Sequence, residues 1–174
     1  MKNNFNFCPH CAGNNIRNIN MRKWQCDDCG FVLYNNAAAS VAVIIPDNMG
    51  QVLFEVRAKE PQKGMLCLPG GFVEHNETLE QACVRECVEE IGVKPLTLKY
   101  LTSFANTYEY NGIVYKTCDS FFVAELAQDT EFYLQKNEVS GIKKFFVKNS
   151  SDIAKLPLAF ESARNALEFY IKNK

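Results

Sequence analysis

Hydrophobic and polar positions alternate with different periods along the chain, and the changes of period predict both strands and helices. Two runs rich in β-branched residues, SVAVIIP at 40–46 and VLFEVRA at 52–58, flank the turn-forming segment DNMGQ and predict a β-hairpin. Further strands are predicted at LTLKYLTSF, IVYKTCDSFFVAEL and KKFFVK, with a turn at YNG and a looser segment at 129–138. A short apolar run, MLCLPGGFV, is broken by a Pro-Gly-Gly turn.

Two segments carry the signals of a helix. Thr78 followed by Gln81 fits a capping box, and Gly92 fits the residue just past a helix end, so a helix is predicted between them. The closing segment LAFESARNALEFYIKN has apolar residues at helical spacing, namely Phe160, Ala163, Leu167, Tyr170 and Ile171. The predicted fold class is therefore α+β, a mixed sheet with two main helices behind a small metal-held module.

Length and composition narrow the class of protein. A chain of 174 residues suits one ordinary domain with a small appendage. The formal net charge of −1 argues against a strongly basic face for bulk nucleic-acid binding. There is no apolar run of about 18 residues that would predict a membrane span, and the start MKNNFNFCPHC lacks the apolar stretch of a secretory signal. We therefore expect a cytoplasmic protein whose thiols stay reduced.

Four of the eight cysteines form two tight pairs near the N-terminus, in the pattern C-x2-C-x14-C-x2-C. They are Cys8, Cys11, Cys26 and Cys29. Two such knuckles place four thiolates at the corners of a tetrahedron, which favours a closed structural Zn²⁺ site over disulfides or free thiols. Residues 1–36, which are polar and rich in asparagine, are predicted to form this zinc ribbon. The other four cysteines lie in apolar surroundings and are interpreted as small buried hydrophobes.

The stretch GFVEHNETLEQACVRECVEEIGV places Glu86, Glu89 and Glu90 along one edge of the predicted helix. A solvated acidic face is one interpretation. However, these carboxylates lie at the C-terminal end, where the helix dipole disfavours negative charge. The preceding Gly70 could approach a ligand closely and offer its carbonyl. Carboxylates and a carbonyl form a hard oxygen site, so the alternative that we favour is a divalent cation, Mg²⁺ or Mn²⁺.

These residues resemble the Nudix box, G-x5-E-x7-R-E-U-x-E-E-x-G-U, at every fixed position. Gly71, Glu77, Arg85 and Gly92 occupy its constrained positions together with the three glutamates, and Cys87 stands where the family usually has an aliphatic residue. The resemblance covers about residues 38–174 and identifies 37–174 as a Nudix hydrolase domain. The N-terminal ribbon resembles the zinc module found ahead of the NADH-pyrophosphatase branch of the family.

The resemblance implies a Nudix-like mixed β-sheet sandwiched by helices, and it assigns roles to single residues. Glu86 and Glu90 would be the main metal ligands, Glu89 a third ligand directly or through water, and the Gly70 carbonyl would complete the site. Arg85 and Glu77 would pair in a structural role. The reaction would be Mg²⁺-dependent cleavage of a diphosphate linkage by an activated water. The general base is left open between Glu138, which could also be a metal ligand or an ordinary loop residue, and Glu86.

The sequence leaves several substrates open. ADP-ribose and an NADH-like dinucleotide lead, with a nucleoside triphosphate next and a non-catalytic nucleotide-binding regulatory module as the other class. Members of the NADH-pyrophosphatase branch carry SQPWPFPxS after the box, whereas this chain has YLTSFANTYEY. Arg57 and Lys59 could meet phosphates or be solvated surface, and Tyr108 could stack on a base or pack across strands. The resemblance also suggests a homodimer.

Overall fold

The computed structural model of the protein describes residues 5–174, which form two compact units. One unit contains the residues up to Ala37 together with Thr107–Lys116, and the other contains Ala38–Asn106 and Thr117–Lys174. No helix in this part of the chain is long and apolar enough to cross a membrane.

The first unit contains a three-stranded antiparallel sheet of short strands, β1 (Ile16–Ile19), β2 (Lys23–Cys26) and β3 (Val32–Tyr34). Trp24 on β2 is buried, and its ring meets the edge of Phe5 with 5.1 Å between ring centroids. Few other large side chains are buried here, so this unit has too little apolar core to be stable on packing alone.

The second unit is built on two three-stranded sheets. Its strands are β4 (Ala38–Ile44), β5 (Gln51–Arg57), β6 (Leu66–Cys67), β7 (Thr97–Tyr110), β8 (Ile113–Glu125) and β9 (Val139–Phe146). One sheet has the order β4-β8-β7, with β4 parallel to β8, and the other has the antiparallel order β6-β5-β9. The ends of β7 and β8 and the turn between them belong to the first unit. There Asn111 and Gly112 both have positive φ, as a type I′ hairpin turn requires.

Three helices complete the unit: α1 (Leu79–Ile91), α2 (Ser150–Ala154) and α3 (Glu161–Lys172). The predicted ends of α1 are confirmed. Thr78 Oγ1 accepts from the Gln81 amide at 3.2 Å, the Gln81 side chain accepts from the Thr78 amide at 2.8 Å, and Gly92 adopts the left-handed conformation. The short helix α2 was not predicted, because its only strong local signal is the N-cap Asn149.

The predicted hairpin between 40–46 and 52–58 is confirmed only beside its turn, where the Leu53 amide donates to the Ile45 carbonyl. The two segments do form strands joined by a tight turn, but β4 and β5 belong to different sheets and pair only beside the turn, at Pro46 and Val52. Instead β4 lies parallel to β8, whose apolar residues let this pair of strands be buried on both faces. Long-range packing therefore overrides the local turn signal.

The hydrophobic core lies on both sides of the sheets. Alternate residues of β5 face opposite sides, so Val52 and Phe54 pack with α3 while Leu53 packs with α1. The same alternation sends Phe121 to the α3 side and Phe122 to the α1 side. The predicted α+β class, a mixed sheet between helices, is confirmed.

A buried polar network joins β4, β7, β8 and α3. The carboxylate of Asp119 accepts hydrogen bonds from four side chains, namely Ser40, Asn106 (2.8 Å), Thr117 (2.6 Å) and Ser162 (2.6 Å). Asp119 is 8% exposed, so these donors replace the water that it loses on folding. The network holds β4 in place, and β4 in turn pairs with the Pro-Gly-Gly segment described below.

We expect Asp119→Ala to lower the free energy of unfolding by about 2–4 kcal/mol, because it leaves several buried donors without an acceptor. Urea denaturation measures this loss. Glu125→Ala, which removes an exposed carboxylate from the same strand, is the matched control and should change stability by less than about 0.5 kcal/mol. Equal stabilities of the two variants would contradict the structural role of the network.

Candidate active site

Three carboxylates lie along one edge of α1, but they are not equally accessible. Glu86 and Glu90, one turn apart, are 9% and 7% exposed, whereas the side chain of Glu89 is 50% exposed. Like charges at this spacing destabilise a helix, and burial increases their repulsion. The negative charge along this edge of α1 therefore needs hydrogen-bond donors or positive charges nearby, and the neighbouring segments supply some of them.

The Pro-Gly-Gly segment supplies backbone groups. The Gly70 amide donates to Glu90 Oε2 at 2.8 Å. The carbonyls on either side, of Pro69 and Gly71, accept from the β4 amides of Val43 and Val41 at 2.8 and 2.9 Å. These two bonds attach the segment to β4 on both sides of Gly70.

Both glycines are closely approached by other groups, and at Gly70 the approaching group is backbone, which cannot move aside. Gly70 has φ +149°, and a Cβ there would overlap the carbonyl of Val41. A Cβ on Gly71 would overlap the carboxylate of Glu86, with Glu86 Cδ only 2.9 Å away. The first constraint is imposed by backbone and the second by a side chain of α1, so Gly71 leaves room for Glu86.

The compensating positive charge is Arg85. Its Nε and one terminal nitrogen donate to Glu77 at 2.8 and 3.1 Å, which lowers the pKa of Glu77. The other terminal nitrogen donates to Glu86 at 2.8 Å and to Glu89 at 3.0 Å. Arg85 also donates to the Phe72 carbonyl at 2.9 Å, and this bond attaches the glycine segment, residues 69–72, to α1. The sequence predicted the pairing with Glu77, and it missed the other three contacts.

Glu138, just before β9, lies close enough to Glu86 and Glu90 to raise the pKa of each by charge repulsion. Its carboxylate forms a 2.6 Å ion pair with Lys59. Arg57 donates to the Pro61 carbonyl at 2.8 Å, and its guanidinium lies 5.2 Å from the ring centroid of Phe160. The two cations proposed from sequence to meet phosphates are thus held by protein groups.

Tyr108 belongs to the first unit, near the tip of the β7–β8 hairpin. Its ring stacks on Tyr110, with 6.4 Å between ring centroids. Tyr110 lies two residues further along the same strand, so this contact is not the cross-strand packing that was one alternative, and stacking of Tyr108 on a base stays a prediction.

Sequence reasoning missed one carboxylate, Glu55 on β5. It is 1% exposed, and its Oε2 accepts from the Cys67 thiol at 3.8 Å. A signal for it existed, because Glu55 interrupts the apolar run VLFEVR two residues after Leu53, and residues two apart on a strand share a face. That face is the one that packs against α1.

Burial raises the pKa of Glu55, Glu86 and Glu90 above the ordinary value for glutamate. For Glu90 the charges of Glu55, Glu86 and Glu138 add to this effect, while the Gly70 amide opposes it. Several buried carboxylates that raise each other's pKa, with an orphaned carboxylate oxygen among them, fit a divalent cation with hard oxygen ligands.

The four paired cysteines form a compact cluster in the first unit. Their Sγ atoms all lie within 4.8 Å of one another, with Cys8–Cys29 and Cys11–Cys26 both at 3.8 Å. Within residues 5–174, no other group of three or more acidic, cysteine or histidine side chains brings its ligand atoms so close. This cluster could hold a metal ion as it stands, whereas the α1 carboxylates would have to turn toward a common ion.

The fold and the box together define a class of protein: the chain belongs to the Nudix family, because the NUDIX domain model matches residues 36–165. It is 33% identical over 103 residues to the NAD-capped RNA hydrolase NudC of Vibrio cholerae, covering 59% of this chain and 38% of that protein. It is 29% identical over 164 residues to NudC of Deinococcus radiodurans, covering 93% and 55%. The chain thus spans between about two fifths and just over half of these relatives.

Solved structures agree with the assignment. A NUDIX hydrolase from Nitrosomonas europaea has a TM-score of 0.68 and 27% identity, covering 97% of this chain and 91% of that chain. The NUDIX domain of Shewanella oneidensis NrtR, solved in complex with ADP ribose, has a TM-score of 0.64 and 22% identity, covering 81% and 91%. At that identity the second comparison establishes the fold alone.

We expect the protein without added Mg²⁺ or Mn²⁺ to become less stable as the pH rises from 6 to 9. The raised pKa values mean that the folded state keeps protons that the unfolded state releases above the ordinary glutamate pKa, so ionisation opposes folding. Urea denaturation across this range should show a fall on the order of 1–3 kcal/mol.

Glu90→Gln should reduce the slope of stability against pH, and Glu80→Gln, on the exposed face of the same helix, should keep the slope of the unchanged protein. The expectation is contradicted if the unchanged protein gains stability with pH over this window, or if Glu90→Gln has the same slope.

Proposed function

We propose that this protein is a Mg²⁺-dependent Nudix pyrophosphohydrolase that cleaves the diphosphate linkage of a nucleoside diphosphate derivative. The observation that carries the proposal is a complete Nudix box whose two central glutamates, Glu86 and Glu90, are buried beside the Gly70 segment. A solvated acidic face would leave both carboxylates in water, as Glu89 is, and would not need Gly71 to make room for one of them.

The match to the Nudix box suggests a role for each residue of the site. Glu86, Glu89, Glu90 and the Gly70 carbonyl would hold Mg²⁺ or Mn²⁺, which when bound neutralises phosphate charge and makes a water molecule a stronger nucleophile. Glu77 and Arg85 would fix the glycine segment against α1 together with Gly71, and Gly92 would end the helix.

The general base is proposed to be Glu138, with Glu86 as the alternative. A base must reach the attacking water, and it must be able to accept a proton. Glu86 is bound to Arg85, while Glu138 is bound to Lys59, whose side chain is 48% exposed and more easily displaced. Release of Lys59 would free Glu138 and bring a cation toward the substrate phosphates.

ADP-ribose or an NADH-like dinucleotide is the proposed substrate. One observation supports this choice: the relatives that the chain resembles in sequence are named as NAD-capped RNA hydrolases. Arg57 and Lys59 are the proposed substrate contacts in the second unit, and a contact of Tyr108 with the substrate stays a prediction from the sequence. A nucleoside triphosphate is the alternative substrate, and a non-catalytic nucleotide-binding regulator is the alternative class, which the intact box disfavours.

The remaining parts of the proposal concern organisation. Residues 1–36 would form a ribbon held by structural Zn²⁺, and 37–174 would form the hydrolase domain. Clustered rather than disulfide-bonded cysteines suit a reducing, cytoplasmic location. A homodimer is proposed by analogy with the family.

Glu90→Gln should lower turnover by several orders of magnitude, because it removes a metal-bound charge at a phosphoryl centre. The assay is a panel of ADP-ribose, NADH and nucleoside triphosphates with Mg²⁺ or Mn²⁺, reading released AMP and phosphate. The panel also separates dinucleotide from triphosphate substrates.

Glu80→Gln, with the same charge change outside the site, should keep its activity. A Glu90→Gln variant with more than about a tenth of the normal rate, roughly 1.4 kcal/mol of barrier, would contradict the assignment. Failure of the unchanged protein to cleave any compound in the panel would favour the non-catalytic alternative.

Freshly purified protein should contain about one zinc ion per chain, and a chelator strong enough to remove it should unfold the ribbon, since metal binding supplies much of the folding energy of so small a unit. Elemental analysis and circular dichroism measure the two effects. Cys26→Ser should lose the metal, whereas Cys118→Ser, an exposed cysteine outside the cluster, should retain it. Purified protein without zinc would refute the structural zinc site.

A further inference from the structure

The oxygen Oε1 of Glu55 is buried without a hydrogen-bond partner, and it is the only such side-chain oxygen or nitrogen among residues 5–174. The residue is 1% exposed, so water does not compensate. Leaving one oxygen of a buried carboxyl group without a partner costs about 1–3 kcal/mol, and more if the group is ionised. A ligand that binds this oxygen would remove that cost.

The strand register places Glu55 at the site already described. Glu55 lies directly opposite Cys67 in the pairing of β5 with β6, and β6 leads within three residues to Gly70. Its side chain is on the face of β5 that packs against α1, as Leu53 is. Besides burial, the charge of Glu86 raises the pKa of Glu55 and the charge of Glu55 raises the pKa of Glu90, so the three carboxyl groups act on one another.

No cation of the described residues forms a salt bridge with this carboxylate, although the charge of Arg57 acts on it. Arg85 uses its donors on Glu77, Glu86, Glu89 and the Phe72 carbonyl. Arg57 is near Glu55, but its Nε donates to Pro61 and its guanidinium lies over Phe160. Within the described part of the chain, no salt bridge reaches Glu55 or Glu90. Two adjacent buried carboxylates thus share a deficit of positive charge.

We propose that Glu55 supplies a further carboxylate oxygen, Oε1, to the divalent cation held by Glu86 and Glu90. The inference rests on the proposed function, because it takes a divalent cation at this site as given. It extends the ligand set from the helix and the glycine segment to the sheet beneath them. A carboxylate on a central strand is held more rigidly than one on a loop, so Glu55 would position the ion.

The competing interpretation is that Glu55 stays a neutral acid that hydrogen-bonds to Glu90 and contributes nothing to ion binding. The two interpretations differ in what Glu55→Gln does. The amide keeps the shape and a hydrogen-bond donor for Glu90 but cannot offer a charge, so it weakens ion binding only if Glu55 is a ligand.

The test measures Mn²⁺ affinity directly, by calorimetry and by electron paramagnetic resonance of free Mn²⁺, on the full chain with its ribbon intact. We expect Glu55→Gln to weaken Mn²⁺ binding by about tenfold or more, which corresponds to about 1.4 kcal/mol. Glu55→Leu, which continues the apolar pattern of β5, should do the same and serves as a second variant if the amide disturbs folding. Glu80→Gln should bind Mn²⁺ within about twofold of the unchanged protein.

Thermal melting without added Mn²⁺ provides a second readout. Both Glu55 variants should melt at the same temperature as the unchanged protein or higher, because each removes a buried carboxyl group, and they should gain less from added Mn²⁺. Mn²⁺ affinities within about twofold of the unchanged protein for both folded variants would overturn the inference.

The inference and the proposed function can fail separately. If the unchanged protein binds Mn²⁺ but cleaves no nucleotide, the enzyme assignment fails while the affinities still decide the role of Glu55. If it cleaves nucleotides and both variants bind Mn²⁺ normally, only the role of Glu55 is lost. An unchanged protein that binds no Mn²⁺ defeats both.

Discussion

The guanidinium of Arg85 is the contact on which the site depends. It joins the loop before α1, through Glu77, to the glycine segment, through the Phe72 carbonyl, and it binds two of the three helix carboxylates. A planar group with five donors can meet all these acceptors at once, whereas a lysine could not. Without it, Glu86 and Glu89 would lose their positive partner, and the glycine segment would be held to α1 only by the bond between the Gly70 amide and Glu90.

Arg85 also determines which carboxylates remain uncompensated. Its contacts go to Glu86 and Glu89, on the side of the helix edge that faces the loop, and they leave Glu90 to the Gly70 amide. A backbone amide carries only a partial charge, so Glu90 and its neighbour Glu55 retain most of their repulsion. The structure is thus least compensated where a divalent cation is proposed to bind, and the position of that deficit is set by the reach of one side chain.

The parts of the structure that could be predicted from the sequence are those whose signals are local. The ends of α1 follow from Thr78, Gln81 and Gly92, which make contacts within the helix and its caps. The pairing of β4 with β8 could not be predicted, because the partner lies far along the chain and the turn before β5 suggested a hairpin. The burial of Glu55 was not predicted either, because it depends on which element covers that face of β5, and that element is α1.

Gly70 and Gly71, at the start of the box, show why the motif constrains the metal-binding carboxylates more than it constrains the choice of substrate. Gly70 packs against the backbone of β4, which hydrogen bonds to Asp119 connect to β7, β8 and α3. Gly71 lies against the carboxylate of Glu86. These constraints come from backbone and buried groups, so they leave little freedom at the carboxylates. Specificity is then proposed to come from side chains outside them, such as Arg57 and Lys59. Arg57 is bound to a carbonyl and a ring, and Lys59 forms an exposed ion pair. A box that matches at every fixed position is therefore compatible with several nucleotides, because the residues that would distinguish them are not part of it.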